Sequence, residues 1–312
     1  MLEKVLAPID SIKWDNTKTA VESVMKIGRS YRVNGSPELN FLHVFHAKPK
    51  IPMAERDRIT DLKKREIKED FETIKEMCKE NGLENVRTVT RTGKPAKEIV
   101  KYAEEKNVDV IVMGSGKLHD RTTTGKIHKF FYGSVTERVI HEAPCSILVA
   151  KPGLKFEKIL APIDSIEWDN TVNAVDHAIN IAKGCGGRPK LVFMHIMKSA
   201  SGNTSDIKTE RRKMEKKRLD DEFYTIENWC KKKGINHIET ILKEGDPDKK
   251  RGVDEEIVET AEKQKADLIV MGSGKLHDRT TKGKIEKFFY GSITEKVLHE
   301  TPCSVLVARP LE

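Results

Sequence analysis

Lys4-Val5-Leu6-Ala7-Pro8-Ile9-Asp10-Ser11-Ile12 stands at the start of the chain and returns as Lys158-Ile159-Leu160-Ala161-Pro162-Ile163-Asp164-Ser165-Ile166. Each stretch is a short apolar run ending in a carboxylate, the pattern of a strand buried on both faces. A second pair answers it downstream. His141-Glu142-Ala143-Pro144-Cys145-Ser146-Ile147-Leu148-Val149-Ala150 comes back as His299-Glu300-Thr301-Pro302-Cys303-Ser304-Val305-Leu306-Val307-Ala308. So long a period is a duplication of whole domains rather than a solenoid, because each unit can bury its own core. The 312 residues therefore divide into domains 1–152 and 153–312, joined at Lys151-Pro152-Gly153-Leu154. A join that short predicts a fixed pair.

Inside the first copy, apolar runs alternate with amphipathic helical patterns. Strands are expected at Lys4–Ile9, Leu39–Phe45, Val86–Arg91, Asp109–Met113 and Ser146–Ala150. Helices are expected at Lys18–Arg29, capped by Thr17 or Asn16, at Glu55–Asn81, at Ala96–Glu105 and from about Ser134. The long helix carries Ile59, Leu62, Ile67, Phe71, Ile74 and Cys78 at helical spacing, with Gly82 closing it. Strands separated by helices of these lengths form parallel βαβ units with right-handed crossovers. The predicted fold is two doubly wound, Rossmann-like α/β domains. In such sheets a ligand lies beyond the carboxyl ends of the strands, where the strand order reverses.

Composition excludes several classes. No apolar run reaches the ~20 residues of a membrane-spanning helix, and no signal peptide precedes the first strand, so the sequence reads as cytoplasmic, without membrane insertion. The net charge is +8, but its positives are interspersed with acids, as in Lys63-Lys64-Arg65-Glu66-Ile67-Lys68-Glu69-Asp70. A nucleic-acid partner would want them segregated. Even Arg211-Arg212-Lys213 and Lys216-Lys217-Arg218 read as a solvated helix face. The five cysteines, Cys78, Cys145, Cys185, Cys230 and Cys303, show no metal-like spacing and read as reduced structural thiols.

Two loops fall at strand carboxyl ends. One follows the first strand, with Pro8, Ile9 and Asp10, and Pro162, Ile163 and Asp164 in the second copy. The other follows the fourth strand: Met113-Gly114-Ser115-Gly116-Lys117, running on to Gly133-Ser134-Val135-Thr136. Glycines let backbone N–H groups approach an anion, a helix N-terminus adds a favourable dipole, and Lys117 offers a point charge. Asp10 is placed to hold Mg²⁺ against phosphates. Structural readings stand beside these. Ser134-Val135-Thr136-Glu137 and Ser292-Ile293-Thr294-Glu295 fit a capping box, Gly114 and Gly116 suit a tight turn, and Asp10 suits a helix cap. His43 and His46 read as packing residues. The two copies differ between Met113 and Ser134 only at Thr124/Lys282 and His128/Glu286, while elsewhere they have drifted widely. A ligand or an interface explains that shared constraint.

Standard phosphate motifs do not fit. A Walker A loop would need glycine and Ser or Thr where Ile111 and Leu118 stand. The dinucleotide fingerprint is missing after the first strand, where Asp10-Ser11-Ile12 stands, and no G-x-S-x-G elbow occurs.

The combination of Val5–Asp10, Leu42-His43-Val44, Val112-Met113-Gly114, Gly133–Glu137 and Ala143–Val149 resembles the universal stress protein family, and it does so twice over almost the whole chain. The resemblance implies an adenine nucleotide alpha hydrolase-like fold, with a five-stranded parallel sheet per domain whose last strand pairs between domains, in a homodimer or in an intramolecular pseudo-dimer. It also implies ATP or AMP as ligand. Members that bind ATP carry G-x2-G-x9-G-[S/T] after the fourth strand. By position, Asp10 then faces phosphates and metal, Val44 meets the adenine, Met113 and Gly114 open the loop, and Gly133, Ser134, Val135 and Thr136 close it. The second copy offers Asp164, Ile196, Met271, Gly272, Gly291, Ser292, Ile293 and Thr294. The pattern departs at its second glycine, which is Lys117 or has shifted to Gly116 (Lys275 or Gly274 in the second copy). The stretch to Gly133 is also about six residues longer, adding Leu118–Thr123 as lid, docking loop or plug.

The expected function is an adenine-nucleotide-binding stress or regulatory protein. The alternative is an interaction scaffold or chaperone-like protein that docks a partner through Lys117–Thr123 and holds no nucleotide. A slow ATPase is a third reading, against which stand the missing nucleophile–base pair and the missing HxGH signature.

Overall fold

A computed structural model of the chain describes residues 2–11, 15–31, 35–46, 53–115, 133–197, 206–244, 252–273 and 291–309. They fall into two compact units, with residues up to Pro152 in unit one and those from Gly153 in unit two.

Unit one opens with strand β1 (Lys4–Ile9), where Val5, Leu6 and Ala7 are fully buried. Helix α1 (Asp15–Ser30) follows, starting three residues before the sequence pattern suggests. The polar Asp15-Asn16-Thr17 turn is taken into the helix, and the Asn16 side-chain oxygen accepts the Thr17 N–H at 2.9 Å. Strand β2 (Glu38–Phe45), the long helix α2 (Met53–Glu80) and strand β3 (Val86–Thr92) come next. Helix α3 (Pro95–Lys106) begins on a proline, which suits a helix start, and ends on Asn107 in the left-handed conformation. Strand β4 (Val110–Gly114), helix α4 (Ser134–Glu142) and strand β5 (Ser146–Ala150) complete it.

Unit two repeats the plan. Its elements are β6 (Lys158–Pro162), α5 (Asp169–Gly184), β7 (Lys190–Met197), α6 (Asp206–Lys232), β8 (Ile238–Glu244), α7 (Val253–Gln264), β9 (Leu268–Gly272), α8 (Ser292–Glu300) and β10 (Ser304–Ala308).

Within unit one the strands run β3-β2-β1-β4-β5, and within unit two β8-β7-β6-β9-β10, with parallel pairs throughout. Register sets Ile9 against His43 and Gly114 against Ala150. The chain builds outward from β1 to β3, then crosses back to place β4 on the other side of β1. The reversal lies between β1 and β4, and between β6 and β9 in unit two. In sheets of this kind a ligand binds at the carboxyl edge beside such a reversal.

The long helices depart from expectation. Ile67, Phe71, Ile74 and Cys78 are buried as predicted, but Leu62 is 58% exposed; the Ile59 side chain lies outside the described residues. Length explains it. At 1.5 Å per residue a 28-residue helix runs ~42 Å, whereas a seven-residue strand covers ~23 Å. About half of α2 therefore has no strand to cover, and α6 behaves alike, with burial beginning at Leu219. Periodicity continued past the sheet that gives it meaning.

At the opposite edge, a carboxylate ties each β1-type strand to its neighbour. Asp109 accepts the backbone N–H groups of Glu3 and Lys4 at 2.6 and 2.8 Å. Asp267 accepts those of Phe156, Glu157 and Lys158 at 2.8 to 3.0 Å, and of Lys155 at 3.4 Å. None of the five cysteines forms a disulfide, and all are buried.

Candidate functional site

The site begins where β1 ends. Ile9 is buried and Asp10, the next residue, is exposed. The Asp10 N–H donates to the Thr17 hydroxyl of α1 at 3.2 Å, and Asp164 does the same to Thr171 at 3.3 Å. That bond fixes the backbone of the aspartate and leaves the carboxylate as the exposed group at the strand end. Pro8 and Pro162 are half-buried, and Ile163 is buried like Ile9.

His43 explains why this end is held so firmly. It is buried on β2, and its Nδ1 lies 3.1 Å from the Ile9 carbonyl oxygen. A nitrogen facing a carbonyl must carry the hydrogen, so Nδ1–H donates. The ring also meets Phe45 edge-on at 4.6 Å. Burial pushes the imidazole pKa below its ordinary value, outweighing the Ile9 carbonyl and the Asp10 charge, which favour the protonated form. His195 repeats the bond with the Ile163 carbonyl at 3.0 Å. His43 is thus a packing residue with a specific task, whereas His46 is exposed and the packing reading fails for it. Val44 and Ile196 are half-buried near the ends of β2 and β7.

Gly114 closes β4. A Cβ there would stand 1.8 Å from the Asn16 carbonyl oxygen of α1, so any side chain would drive the helix off the strand. At Gly272 the corresponding contact, with the Asn170 carbonyl oxygen, is 2.7 Å. Close helix-to-strand packing therefore requires this glycine, and a tight turn is not the reason. Met113 and Met271 are buried beneath it. The Ser115 hydroxyl is buried without a hydrogen-bond partner among the described residues, a situation that costs about 1–3 kcal/mol until something bonds it.

The closing glycine differs. Gly133 occupies the N-cap of α4 with φ −63° and ψ 153°, an ordinary extended conformation, and a Cβ there would meet nothing within 4 Å among the described residues. Gly291 at α8 is the same, with φ −63° and ψ 148°. The expected capping box is not formed. Ser134 and Ser292 are the first helical residues rather than the caps, and neither helix has a side-chain cap hydrogen bond. The first helical amides, those of Ser134, Val135 and Thr136 and of Ser292, Ile293 and Thr294, thus lie at the positive end of the helix dipole with no cap from the N-cap residue's side chain. In unit two the Thr294 hydroxyl donates to the Gly272 carbonyl at 3.4 Å, bringing the first turn of α8 against the end of β9. Gly116, Lys117, Gly274, Lys275 and the Leu118–Thr123 stretch lie outside the described residues.

Unit two holds a feature the sequence reading passed over. Glu222 on α6 is buried. It accepts the Ser165 hydroxyl at 3.0 Å and the Ile166 N–H at 3.3 Å. Arg218, one turn earlier, donates to both the Ser165 oxygen at 3.1 Å and Glu222 at 2.7 Å. Arg218 sits in the basic run read as a solvated face, which is how its neighbours behave; Arg212 pairs with Glu244 at 2.6 Å. The signal that distinguishes it is the other copy, which has Glu66 at the matching position.

Among the described residues no helix is long and apolar enough to cross a membrane, and no group of three metal-ligating side chains occurs.

Comparison with known proteins matches this arrangement. A model of the universal stress protein family matches residues 1–151 and again 155–309. A universal stress protein of Methanocaldococcus jannaschii is 31% identical over 156 residues, 48% of this chain and 83% of that protein. One from Methanothermobacter thermautotrophicus is 52% identical over 68 residues, 22% of this chain and 42% of that protein, so the similarity there spans less than half of the relative's length. The crystal structure of a universal stress protein from Archaeoglobus fulgidus covers 99% of both chains with a TM-score of 0.65 at 20% identity. At that identity it supports the fold alone, a Rossmann-like parallel α/β arrangement present twice along the chain.

Proposed function

Because the chain belongs to the universal stress protein family, we propose that each unit binds one adenine nucleotide, ATP or AMP, at the carboxyl edge of its sheet. The protein then works in the cytoplasm as a stress-response or regulatory module, through conformation or choice of partner. The observation that carries this reading is the closing glycine. Gly133 and Gly291 are required neither by φ nor by packing among the described residues, and each sits at a helix N-terminus without a side-chain cap. A phosphate meeting the first amides of the helix gives both features a cause. The Ser115 hydroxyl, buried and without a partner among the described residues, is a further donor at the end of β4. The half-buried Val44 and Ile196 are placed for the adenine. Pro8, Ile9 and Asp10, with Pro162, Ile163 and Asp164, form the opposite wall. Gly116, Lys117, Gly274 and Lys275 belong to the same loops by sequence.

Magnesium fits this site as an ion brought by the nucleotide. Each unit offers one exposed strand-end carboxylate, Asp10 or Asp164, and Mg²⁺ commonly takes one or two protein carboxylates with phosphate oxygens and waters in its other positions. Five cysteines without a disulfide suit a reducing compartment.

Calorimetric titration with Mg·ATP tests the reading. The native chain should bind two equivalents. The double variant Asp10→Ala, Asp164→Ala should keep its fold and lose about tenfold or more in affinity, the loss of a charge-assisted contact of roughly 1.4 kcal/mol. Unchanged affinity in that variant would remove the metal role from both aspartates.

A second reading has its own observation. The free-running halves of α2 and α6 expose Leu62 at 58% and Met214 at 65%, and the packed half of α6 exposes Tyr224 at 66%, apolar surface of the kind a protein partner covers. In that scaffold, deleting Leu118–Thr123 abolishes partner capture while nucleotide has no effect.

A further inference from the structure

In each unit the third strand, β3 or β8, is the outermost on its side and pairs with a single neighbour among the described strands. The far edge of such a strand presents backbone N–H and C=O groups to which another strand can pair. The two edges differ in their side chains. β3 reads Val86-Arg87-Thr88-Val89-Thr90-Arg91-Thr92, and β8 reads Ile238-Glu239-Thr240-Ile241-Leu242-Lys243-Glu244. Three half-buried aliphatic residues of β8 stand against two of β3. Side chains alternate along β8. Glu239, Ile241 and Lys243 share the face covered by α7, where Gln264 donates to Glu239 at 3.0 Å and Lys243 donates to Glu256 at 2.7 Å. Lys190 of β7 also lies 2.6 Å from Glu239, and Glu259 lies 3.9 Å from Lys243. Ile238, Thr240, Leu242 and Glu244 share the α6 face, with Arg212 2.6 Å from Glu244.

We propose that the β8 edge is an interface for a second copy of this chain, formed by antiparallel β8–β8 pairing about a two-fold axis through Ile241. This surface is distinct from the last-strand pairing that the family resemblance implies, and it needs no nucleotide. A two-fold axis perpendicular to the sheet keeps each side chain on its own face, so only residues of one face come opposite each other. With Ile241 opposite its own counterpart, Glu239 faces Lys243 of the second copy, and Lys243 faces Glu239 of the second copy. Thr240 then meets Leu242, and Ile238 meets Glu244. Both charges are already paired within their own unit, so the contact neutralises no free charge. It joins two existing pairs into a row that alternates in sign: Lys190, Glu239, then Lys243 and Glu256 of the second copy. The Glu239 and Lys243 side chains are 33% and 26% exposed, held against α7 rather than projecting over the edge as a pairing-blocking lysine does. The equivalent axis through Val89 of β3 sets Arg87 against Arg91 of the second copy. These too are compensated, Arg87 by Glu38 at 3.3 Å and Arg91 by Glu98 at 3.6 Å and by Glu105, but pairing there adds only contacts of like sign. The exposed Tyr224 extends the β8 patch. Six residues after Arg218, it falls on the flank of α6 away from the Ser165 loop, which is the flank toward the free edge.

Sedimentation velocity of the full chain tests the interface. The native chain should associate within about 1–100 µM, the range suited to a small interface built on one strand pair. Lys243→Glu, and separately Glu239→Lys, set like charges opposite each other at both symmetric contacts and should each weaken association about tenfold or more. Mixed in equal amounts, the two variants oppose every glutamate of one chain with a lysine of the other and should associate within about threefold of the native affinity. Thermal unfolding checks that each variant folds. Should one not, Ile241→Cys decides: opposed residues have Cα atoms ~4.5–5.5 Å apart, so diamide oxidation should link two copies through this position. Val89→Cys on β3, and the native chain with its five buried cysteines, should not be linked. A native chain monomeric throughout that range, charge variants that associate like the native chain, a mixture no tighter than its components, or an Ile241→Cys chain linked no faster than Val89→Cys would overturn the proposal.

Discussion

Each fourth-strand loop is framed by two glycines, and they are glycine for different reasons. Gly114 lies under the first turn of α1, where the Asn16 carbonyl oxygen leaves no room for a Cβ. Gly133 stands at a helix N-terminus, where a Cβ would meet none of the described residues within 4 Å, with backbone angles any residue adopts. The first glycine is explained by how the helix packs on the strand. The second has no such packing explanation among the described residues; glycine suits a helix N-cap, and under the proposed function the open position also lets a phosphate approach. Under the proposed function, a motif that reads as one phosphate loop divides between a glycine that packing requires and one that serves the ligand. The same division is present in unit two at Gly272 and Gly291.

Substitution at the two positions should separate the roles. Gly114→Ala is expected to have the largest effect, destabilising unit one by about 3 kcal/mol, since overpacking against backbone cannot be relieved by a rotamer change. Gly272→Ala should cost less, because its nearest contact is 2.7 Å rather than 1.8 Å. Urea unfolding of both variants checks the order; equal, small losses would show that α1 yields easily. Next in size, and contrasting the two units, is the carboxylate at the opposite edge. Asp267→Ala removes an acceptor from four backbone amides and should cost unit two about 2–3 kcal/mol, against about 1–2 for Asp109→Ala, which serves two. Gly133→Ala with Gly291→Ala should change stability by under about 1 kcal/mol while weakening nucleotide binding by about tenfold. If affinity survives, the closing glycines have no ligand to serve.

The smallest effect concerns pH. The folded state lowers the pKa of His43, so between that value and 6.5 the unfolded chain binds the extra proton. The stability this contributes is in place above about pH 6.5 and is lost as pH falls through the lowered value. Denaturant midpoints of the native chain should therefore decline between pH 7 and pH 5. His43→Gln, which retains a donor for the Ile9 carbonyl, should flatten part of that decline. A slope unchanged in the variant would assign it to other groups.

Most of the fold was legible in the sequence, because strand and helix patterns report burial locally. β1 and β5 fall where the apolar runs place them, and other boundaries move by one to three residues. What was not legible depends on partners distant in sequence. Leu62 keeps helical spacing but has no sheet beneath it. The capping box at Ser134 fits the residue pattern, yet the chain enters the helix one residue earlier, at Gly133. The clash that fixes Gly114 comes from Asn16, almost a hundred residues away. Arg218 looked like one more charge on a solvated helix, and only its bond to Ser165 separates it from its neighbours.

The most direct measurement is to denature freshly purified protein, native and Gly133→Ala with Gly291→Ala, and to identify and count released nucleotide by chromatography and mass spectrometry after saturation with Mg·ATP and desalting. Two adenine nucleotides per native chain, and far fewer from the variant, are the expected result. A native chain that releases none after saturation would contradict the assignment of these strand-end loops to nucleotide.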